Sequence, residues 1–417
     1  MTGSESKETS FPKGQIRVLL AEGIHPRAAE VFAEAGYEAE RVKPALTLDD
    51  LAARPDLHVL GVRSKTSLPA EALSAMPRLL AAGCFCIGTN HVDLSHARST
   101  GVPIFNSPFS NTRSVAELTI AECVSLSRRL TERSAQMHEG VWRKSAAGAH
   151  EIRGKTLGIV GYGHIGTQVS ILAEAMGMRV IYCDIVPKLP LGNASQVASL
   201  GELLSRSDFV TLHVPQTEST ESLIGEREIA SMKPGSFLIN NARGRVVQMP
   251  ALAAALRAGH LAGAALDVFP VEPGSGDEPF ESELRGLANV ILTPHIGGST
   301  EEAQASIAED VATKLVHFLD VGSTTGAVNM PEVELPSQAQ ADGKRPHRIL
   351  HTHRNVPGVL SQLHGAISRL GVNVVGEYLR TDAEVGYVVL DVDPTDTESL
   401  QRELRATGET IRLRVLW

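Results

Sequence analysis

The chain has 417 residues, of which 42% are hydrophobic and 21% charged, which is enough for two or three globular domains. Its formal net charge of −9 at pH 7, with no basic block, excludes a typical nucleic-acid-binding surface. No apolar run is long enough to span a bilayer, so we expect no membrane partner. The four cysteines, Cys84, Cys86, Cys123 and Cys183, form no CxxC pair; we expect reduced, buried thiols in a cytoplasmic protein.

The first part of the chain alternates between strand and helix patterns. Residues 1–14 are polar, lack the apolar core of a signal peptide and are expected to form a disordered tail. The apolar runs "QIRVLLAE", "LHVLGVRS" and "RLLAAGCFCIG" predict strands, and "HPRAAEVFAEAG" and "LPAEALSAMP" have helical spacing. Strands that alternate with helices predict a parallel sheet over residues 15–110.

A second alternating region follows a long helical pattern at 114–130. From Lys155 the candidate strands are "TLGIVG", "RVIYCD", "DFVTLHVP", "SFLINNA", "GAALDVF" and "NVILTPH". These short strands in one parallel unit predict a Rossmann-type doubly wound nucleotide-binding domain, which we assign to 111–298.

The last part of the chain predicts a return helix, a linker and a small α+β domain. The helical pattern at 301–320 is expected to run back to the first unit, so 15–110 and 299–330 form one discontinuous domain. Residues 331–346 are poor in apolar residues and predict a linker. Residues 347–417 predict strand, helix, two strands, helix and strand, the order of a ferredoxin-like domain.

The stretch "LGIVGYGHIGTQVSILAEAMGMRVIYCD" carries a GxGxxG pattern between a strand and a helix. Gly161 permits the tight turn, Gly163 allows a pyrophosphate to approach, and Gly166 lets the helix pack on the strand. Asp184 ends the next strand, where a carboxylate binds both ribose hydroxyls and repels a 2′-phosphate. The pattern favours NAD over NADP; the alternative is a glycine turn without a ligand.

Three polar residues follow candidate strands of this unit: Arg243 in "NNARGRVV", Glu272 in "DVFPVEP" and His295 in "TPHIGGST". Ligands of doubly wound sheets bind beyond the carboxyl ends of the strands, so all three can face one crevice. A neutral imidazole suits removal of a hydroxyl proton during hydride transfer, and a carboxylate fixes its tautomer. An arginine binds a substrate carboxylate with two hydrogen bonds. Taken singly, each residue also fits a structural role: a surface ion pair, a solvated carboxylate or a core histidine.

At these motifs the chain resembles the D-isomer-specific 2-hydroxyacid dehydrogenases. The segments "RSKTSL", "GCFCIGTNHVDL" and "FNSPFSNTRSVAE" resemble the branch that acts on 3-phosphoglycerate in serine biosynthesis. The resemblance implies that His295 is the acid/base, Glu272 its partner and Arg243 the carboxylate anchor. It implies that Asp267 contacts the nicotinamide carboxamide, although a strand-end cap is the alternative. The further NAD contacts that it implies are His164, Ile165, Asn241, Ala242, Arg243, His295, Gly297 and Gly298.

The same resemblance implies a substrate site that includes residues of the first domain. Arg63, Ser64 and Lys65 follow a strand and are expected to bind the substrate phosphate across the cleft, with Asn111 and Arg243 as further contacts. Lys65 departs from the arginine usual in the family, and a solvated strand end is the alternative. Trp142 and Lys144 match family positions at the cleft or a subunit contact.

The tail resembles an ACT domain, a module that binds amino acids between paired subunits. His353, Asn355 and Asn373 match its ligand positions, and serine is the expected effector. A ligand-free structural tail is the alternative; the "HTH" pair lacks a third metal ligand, so no metal site is expected. The linker has a single glycine, Gly343, where relatives often have two.

Two other functions fit the same fold. A relative acting on another 2-oxo acid, such as 2-oxoglutarate, hydroxypyruvate or glyoxylate, keeps the chemistry and changes the substrate. The co-repressors of the C-terminal-binding-protein type share the fold and the catalytic trio, but they lack a tail of this kind. We therefore expect an NAD-dependent enzyme that forms a homotetramer through its tails, as the resemblance implies.

Overall fold

The chain folds into two compact units. The computed structural model describes residues 12–273, 278–336 and 346–416. The first unit comprises Met1–Ser110 and Gln304–Trp417, and the second unit comprises Asn111–Ala303. The first unit is therefore discontinuous in sequence, and it also contains the C-terminal tail.

The first unit contains a flavodoxin-like parallel sheet. Its elements, in chain order, are β1 (Val18–Leu20), α1 (Arg27–Glu34), β2 (Ala39–Arg41), α2 (Leu48–Ala52), β3 (Val59–Val62), α3 (Ala70–Ala75), β4 (Ala81–Cys84), α4 (Leu94–Ser99) and β5 (Ile104–Asn106). The strand order is β2-β1-β3-β4-β5, and all pairs are parallel. β3 and β4 are buried along their whole length, because helices cover both faces of the sheet.

The second unit is a Rossmann-type domain. Its elements are α5 (Thr112–Arg128), α6 (Leu130–His138), β6 (Thr156–Val160), α7 (His164–Ala175), β7 (Arg179–Cys183), β8 (Ser195–Gln196), α8 (Leu200–Arg206), β9 (Phe209–Leu212), α9 (Glu226–Ser231), β10 (Ser236–Asn240), α10 (Met249–Arg257), β11 (Leu261–Leu266) and β12 (Val290–Leu292). The strand order is β12-β11-β10-β9-β6-β7-β8, with parallel pairing. The order reverses at β6, which ends at the glycine loop. The sequence does not predict β8, a short exposed strand without an apolar pattern.

The long helix predicted at 114–130 is interrupted in the structure. α5 ends at Arg128, and Arg129 adopts a left-handed conformation with φ of 52°. The Arg129 guanidinium pairs with Glu132 of α6 at 2.7 Å. The break lies one residue before the end of the predicted helix, and α6 after it has no buried residue, so apolar spacing does not reveal α6.

The tail has the predicted ferredoxin-like order, which is confirmed. Its elements follow α11 (Glu301–Val321) and are β13 (His347–Arg354), α12 (Val359–Arg369), β14 (Val374–Thr381), β15 (Val385–Val392), α13 (Thr397–Arg405) and β16 (Thr410–Leu416). The sheet order is β14-β15-β13-β16, with antiparallel pairing. β15 is fully buried, whereas β14 lies at the sheet edge and is only partly covered.

The expected N-terminal tail and the expected linker are both partly ordered. Lys13–Gln15 form a short 3-10 turn, and Lys13 pairs with Asp320 at 2.7 Å, so the expected disorder does not extend to these residues. Residues 1–11 lie outside the described part. Of the linker assigned to 331–346, Val333 is buried and donates to Thr324, whereas 337–345, with Gly343, lie outside the described residues.

Two expectations from composition can also be compared with the structure. Cys84 and Cys123 are buried, but Cys86 and Cys183 are partly exposed, so the expectation of four buried thiols is wrong for these two. Among the described residues, no helix combines the length and apolar character needed to cross a membrane.

A buried ion pair holds the central strands of the tail together. Arg348 on β13 and Asp391 on β15 form two hydrogen bonds of 2.7 Å, and each side chain is only 1% exposed. Arg348 also donates to the Val321 and Pro336 carbonyl groups. Asp391 therefore compensates the charge of the buried guanidinium.

We expect Asp391→Asn to lower the free energy of unfolding of the tail by about 3–5 kcal/mol, because a buried cation loses its counter-charge. Amide hydrogen exchange of β13 and β15 in the full chain measures this loss. Glu403→Gln is the matched control, since the exposed Arg369–Glu403 pair of the same tail contributes about 1 kcal/mol at most. Equal protection in both variants would contradict the assignment.

Candidate active site

The glycine loop lies between β6 and α7. Gly161 has φ of 91°, and a Cβ there would lie 2.5 Å from the carbonyl oxygen of His213, so only glycine fits. A Cβ at Gly163 would meet nothing within 4 Å, so the loop leaves open space in front of α7. His164, Ile165 and Gly166 form the first turn of α7, where N–H groups lack intrahelical acceptors and favour a phosphate. The loop therefore fits a pyrophosphate.

Asp184 lies just past the end of β7, where NAD binding requires an acid. Its carboxylate accepts hydrogen bonds from the N–H groups of Tyr162 (2.8 Å) and Val186 (3.0 Å). One bond joins Asp184 to the glycine loop, so the carboxylate is held at a fixed place. Each oxygen keeps a lone pair for a ribose hydroxyl.

The turn after β10 carries Arg243. The Asn240 side chain shapes this turn, because it accepts from the Ala242 N–H at 3.1 Å and donates to the Arg243 carbonyl at 3.0 Å. A Cβ at Gly244 would collide with the backbone of Phe269, so only glycine lets the two segments approach. This approach brings the turn of Arg243 next to the segment that leads to Glu272.

Glu272 and His295 form a hydrogen-bonded pair. The Nδ1 atom of His295 lies 2.8 Å from one carboxylate oxygen of Glu272, whose other oxygen accepts from the Phe269 N–H at 3.1 Å. Nε2 of His295 then faces away from the carboxylate and can exchange a proton with a ligand. The two side chains are 52% and 36% exposed, so the pair is accessible to a small molecule.

The charge of Arg243 acts on both members of this pair. The hydrogen bond to Glu272 raises the pKa of His295, and partial burial of the ring opposes this shift. The negative charges of Glu272 and Asp267 raise the pKa further, whereas the positive charge of Arg243 lowers it. Partial burial would raise the pKa of Glu272, but hydrogen bonds from His295 and the Phe269 N–H, with the charges of His295 and Arg243, hold it below its usual value. The three predicted residues are therefore close enough to interact electrostatically.

Asp267 holds the segment that presents His295. Its buried carboxylate accepts from the Thr293 hydroxyl (2.5 Å) and from the N–H groups of Ile296 (2.8 Å) and Gly297 (2.7 Å). His295 itself has φ of 55°, a left-handed conformation that costs a non-glycine residue about 1–2 kcal/mol. The structure thus gives Asp267 a positioning role, and the contact with nicotinamide stays a prediction.

Sequence reasoning missed a buried carboxyl group next to this site. Glu122 of α5 is 3% exposed and accepts a 2.7 Å hydrogen bond from the Asn241 amide, which also donates to Thr119. The pKa of Glu122 is raised to about 8, mainly by burial. The hydrogen bond from Asn241 opposes this shift, and the negative charge of Asp267 reinforces it. Val115, Thr119 and Glu122 share the buried face of α5 at helical spacing, so a glutamate at a core position was detectable in the sequence.

The other predicted residues lie at several places. Gly298 is close to Asn111, at the start of α5, since a Cβ there would collide with the Asn111 amide. In the first unit, Arg63 is partly buried, and Ser64 and Lys65 are exposed in the segment after β3. Trp142 is 78% exposed, so it does not pack in the core of its own unit.

The predicted effector residues are not gathered within one tail. His353 is buried, and Asn355 is tied to the β14–β15 turn by bonds to the Asp382 and Glu384 carbonyl groups. Asn373 immediately precedes β14, at the other end of the ladder. The strand partners of His353 and Val374 are Gly386 and Val392, six residues apart on β15, or roughly 20 Å at about 3.3 Å per residue.

The two neighbouring histidines of β13 form a contact with each other. Nδ1 of His351 lies 3.3 Å from Nδ1 of His353, and Nε2 of His351 lies 2.9 Å from the Thr410 hydroxyl. Burial lowers the pKa of His351 to about 4 and also lowers that of His353. The described residues contain no cluster of three side chains able to hold a metal ion.

Comparison with known proteins identifies the family. The NAD binding domain of D-isomer specific 2-hydroxyacid dehydrogenases matches residues 120–297, and an AHAS small subunit-like ACT domain matches 349–412. D-3-phosphoglycerate dehydrogenase from Dictyostelium discoideum is 51% identical over 98% of this chain and 99% of its own length. The chain belongs to the D-3-phosphoglycerate dehydrogenase family, within the D-isomer specific 2-hydroxyacid dehydrogenases.

Solved structures agree with this assignment. The TT0316 protein from Thermus thermophilus is 34% identical with a TM-score of 0.69, over 75% of this chain and all of that chain. D-lactate dehydrogenase from Aquifex aeolicus, solved with NAD and lactic acid, is 28% identical with a TM-score of 0.65, over 76% of this chain and all of that chain. The present chain is an NAD-dependent oxidoreductase with an ACT domain, as predicted from its motifs.

We expect Glu272→Gln to shift the pH dependence of the reaction. The His295 pKa falls because its main raising cause is removed, and hydroxyl oxidation requires the neutral imidazole. The acid limb of kcat/KM for NAD reduction therefore moves to lower pH, while turnover decreases because imidazolium loses its partner. The pH profile measures both effects. Glu281→Gln, at an exposed surface position, is the control; an unmoved acid limb in Glu272→Gln would refute the pairing.

We expect Asp184→Asn to weaken discrimination against NADP by roughly ten-fold, the loss of one charged contact. The asparagine retains an oxygen that accepts from the Tyr162 N–H, so the hydrogen bond to the glycine loop is kept. The ratio of kcat/KM for NAD and NADP measures the effect. A ratio equal to that of the parent chain would remove Asp184 from the ribose contact.

Proposed function

We propose that this protein oxidises 3-phospho-D-glycerate to 3-phosphohydroxypyruvate with NAD, the first step of the phosphorylated route to serine. The observation that carries the proposal is the 2.8 Å His295–Glu272 pair beside the charge of Arg243, in the same domain as the glycine loop. The identity to D-3-phosphoglycerate dehydrogenase over nearly the whole chain supports the substrate.

Each member of the trio has a defined task in this reaction. His295 accepts the proton of the C2 hydroxyl at Nε2, while Glu272 fixes the tautomer through Nδ1 and stabilises the imidazolium. Arg243 binds the substrate carboxylate and, in the reverse direction, polarises the carbonyl. When NAD is bound, it supplies the hydride acceptor. The hydrogen bond to Glu272 raises the pKa of His295, which makes its neutral imidazole a stronger base for the hydroxyl proton.

We assign the remaining site residues by function. The cations of Arg63 and Lys65, with Ser64, bind the substrate phosphate, and Asn111 contributes its amide. The buried Asn111 Oδ1 atom has no partner in the described structure, which suits a residue that binds a ligand. The residues that contact NAD are Gly161, Gly163, His164, Ile165, Gly166, Asp184, Asn241, Ala242, Arg243, Asp267, His295, Gly297 and Gly298.

The ACT tail is proposed to bind L-serine between two copies of the chain. β14 is an edge strand whose pairing within the described residues is with β15 alone. Antiparallel pairing of two β14 edges brings Asn373 of one copy toward Asn355 and His353 of the other, which a single tail keeps apart. We propose this pairing as one of the contacts of a homotetramer and as the site of feedback inhibition. A cytoplasmic location belongs to the same proposal.

An initial-rate assay tests the proposal. NADH formation or consumption is measured with 3-phosphoglycerate, glycerate, 2-hydroxyglutarate, 2-oxoglutarate, hydroxypyruvate and glyoxylate, with and without serine. We expect 3-phosphoglycerate to have the highest kcat/KM among the hydroxy acids and serine to inhibit. His295→Gln should reduce turnover by roughly 10²–10⁴-fold, the share of general acid–base catalysis. A preference for an unphosphorylated substrate would replace the proposed reaction by one of the alternatives.

A further inference from the structure

Glu22 occupies a strained position at the end of β1. It has φ of 58°, in the left-handed region that disfavours a residue with a side chain. Its backbone is held there, because the Glu22 N–H donates to Pro44 at 3.1 Å and the Gly23 N–H donates to Val42 at 3.0 Å. Gly23 follows with φ of 61°. A non-glycine residue in such a place points to a role for its side chain.

The Glu22 carboxylate binds the backbone of the segment after β3. Oε1 accepts from the N–H groups of Arg63 (3.1 Å) and Thr66 (2.8 Å), and Oε2 accepts from that of Lys65 (3.0 Å). The far end of the segment is held as well, because the buried Thr66 hydroxyl accepts from the Leu46 N–H at 3.0 Å. One carboxylate therefore sets the conformation of the stretch that carries Arg63, Ser64 and Lys65.

This arrangement separates backbone donors from side-chain cations. The hydrogen bonds that the structure gives Glu22 with Arg63 and Lys65 are to their backbone N–H groups, and not to the guanidinium or the ammonium. The carboxylate takes up backbone N–H groups that would otherwise bind an anion in the manner of a backbone nest. The cationic side chains are then the groups that this segment presents to an anionic ligand, and arginine provides the directional contact.

We propose that Glu22 is a positioning residue for substrate binding, which holds the Arg63–Lys65 segment in the conformation that recognises the substrate phosphate. The inference rests on the proposed function, because it takes the phosphate of 3-phosphoglycerate as the ligand of Arg63 and Lys65. Glu22 acts through these residues and does not touch the substrate.

The test compares a phosphorylated with an unphosphorylated substrate. Glu22→Gln keeps the size of the side chain but replaces one acceptor oxygen by an NH₂ donor, which faces a backbone N–H and loses a bond. We expect kcat/KM for 3-phosphoglycerate to fall roughly ten-fold, the effect of one charge-assisted hydrogen bond, with little change for glycerate. The dissociation constant for NADH should not change, since the glycine loop belongs to the other unit. If Glu22 had only a structural role, the substitution would lower kcat/KM equally for 3-phosphoglycerate and for glycerate.

Two controls make the outcome decisive. Glu40→Gln alters an exposed glutamate of the neighbouring strand β2 and should leave all constants unchanged. Arg63→Ala tests the ligand assignment itself. If Arg63→Ala retains the preference for 3-phosphoglycerate, the proposed phosphate site fails and the inference with it. If Arg63→Ala loses the preference while Glu22→Gln retains it, the inference alone is overturned.

A second variant, Glu22→Gly, tests the inference if Glu22→Gln folds poorly. Glu22→Gly accepts the positive φ without strain and removes the carboxylate. We expect the same loss of preference for 3-phosphoglycerate and faster amide hydrogen exchange at Arg63, Lys65 and Thr66. Exchange and preference equal to those of the parent chain would overturn the inference.

Discussion

The proposed chemistry depends on the hydrogen bond between His295 and Glu272, and this bond depends on how the chain holds His295. The histidine sits in a left-handed conformation that its own sequence does not favour. The buried carboxylate of Asp267 compensates for this, because it binds the hydroxyl and N–H groups on both sides of the histidine. Without that support, Nδ1 would not meet Glu272, and the imidazole would lose the partner that raises its pKa.

Carboxylates that follow strand ends hold neighbouring backbone segments at three places. Asp184 accepts the Tyr162 N–H of the glycine loop, Asp267 accepts N–H groups of the segment around His295, and Glu22 accepts those of the Arg63–Lys65 segment. In each case a carboxylate at the carboxyl end of one strand fixes the segment that follows another. Parallel sheets place such ends side by side, so a binding segment is positioned by a neighbouring strand.

In the tail, one copy of the chain completes the core but not the proposed effector site. Its core is complete within one copy: the buried Arg348–Asp391 pair and the fully covered β15 hold the sheet together. Its proposed effector site is divided, because the ladder separates Asn373 from His353 and Asn355. A ligand that contacts residues from both ends of this ladder requires two tails. Its binding is therefore coupled to the association of subunits.

The sequence alone determined the parallel and antiparallel sheets, the glycine loop with Asp184, and the trio, since periodicity, glycine spacing and polar residues after strands are local properties. The tertiary structure decided the helix break at Arg129, the short β8, the left-handed His295 and Glu22, and the partnership of Glu122 with Asn241. The left-handed His295 and Glu22 are held by hydrogen bonds from other segments, β8 forms only by pairing with β7, and the partner of Glu122 lies more than a hundred residues away. Local pattern carries no information on such contacts, so only the folded chain reveals them.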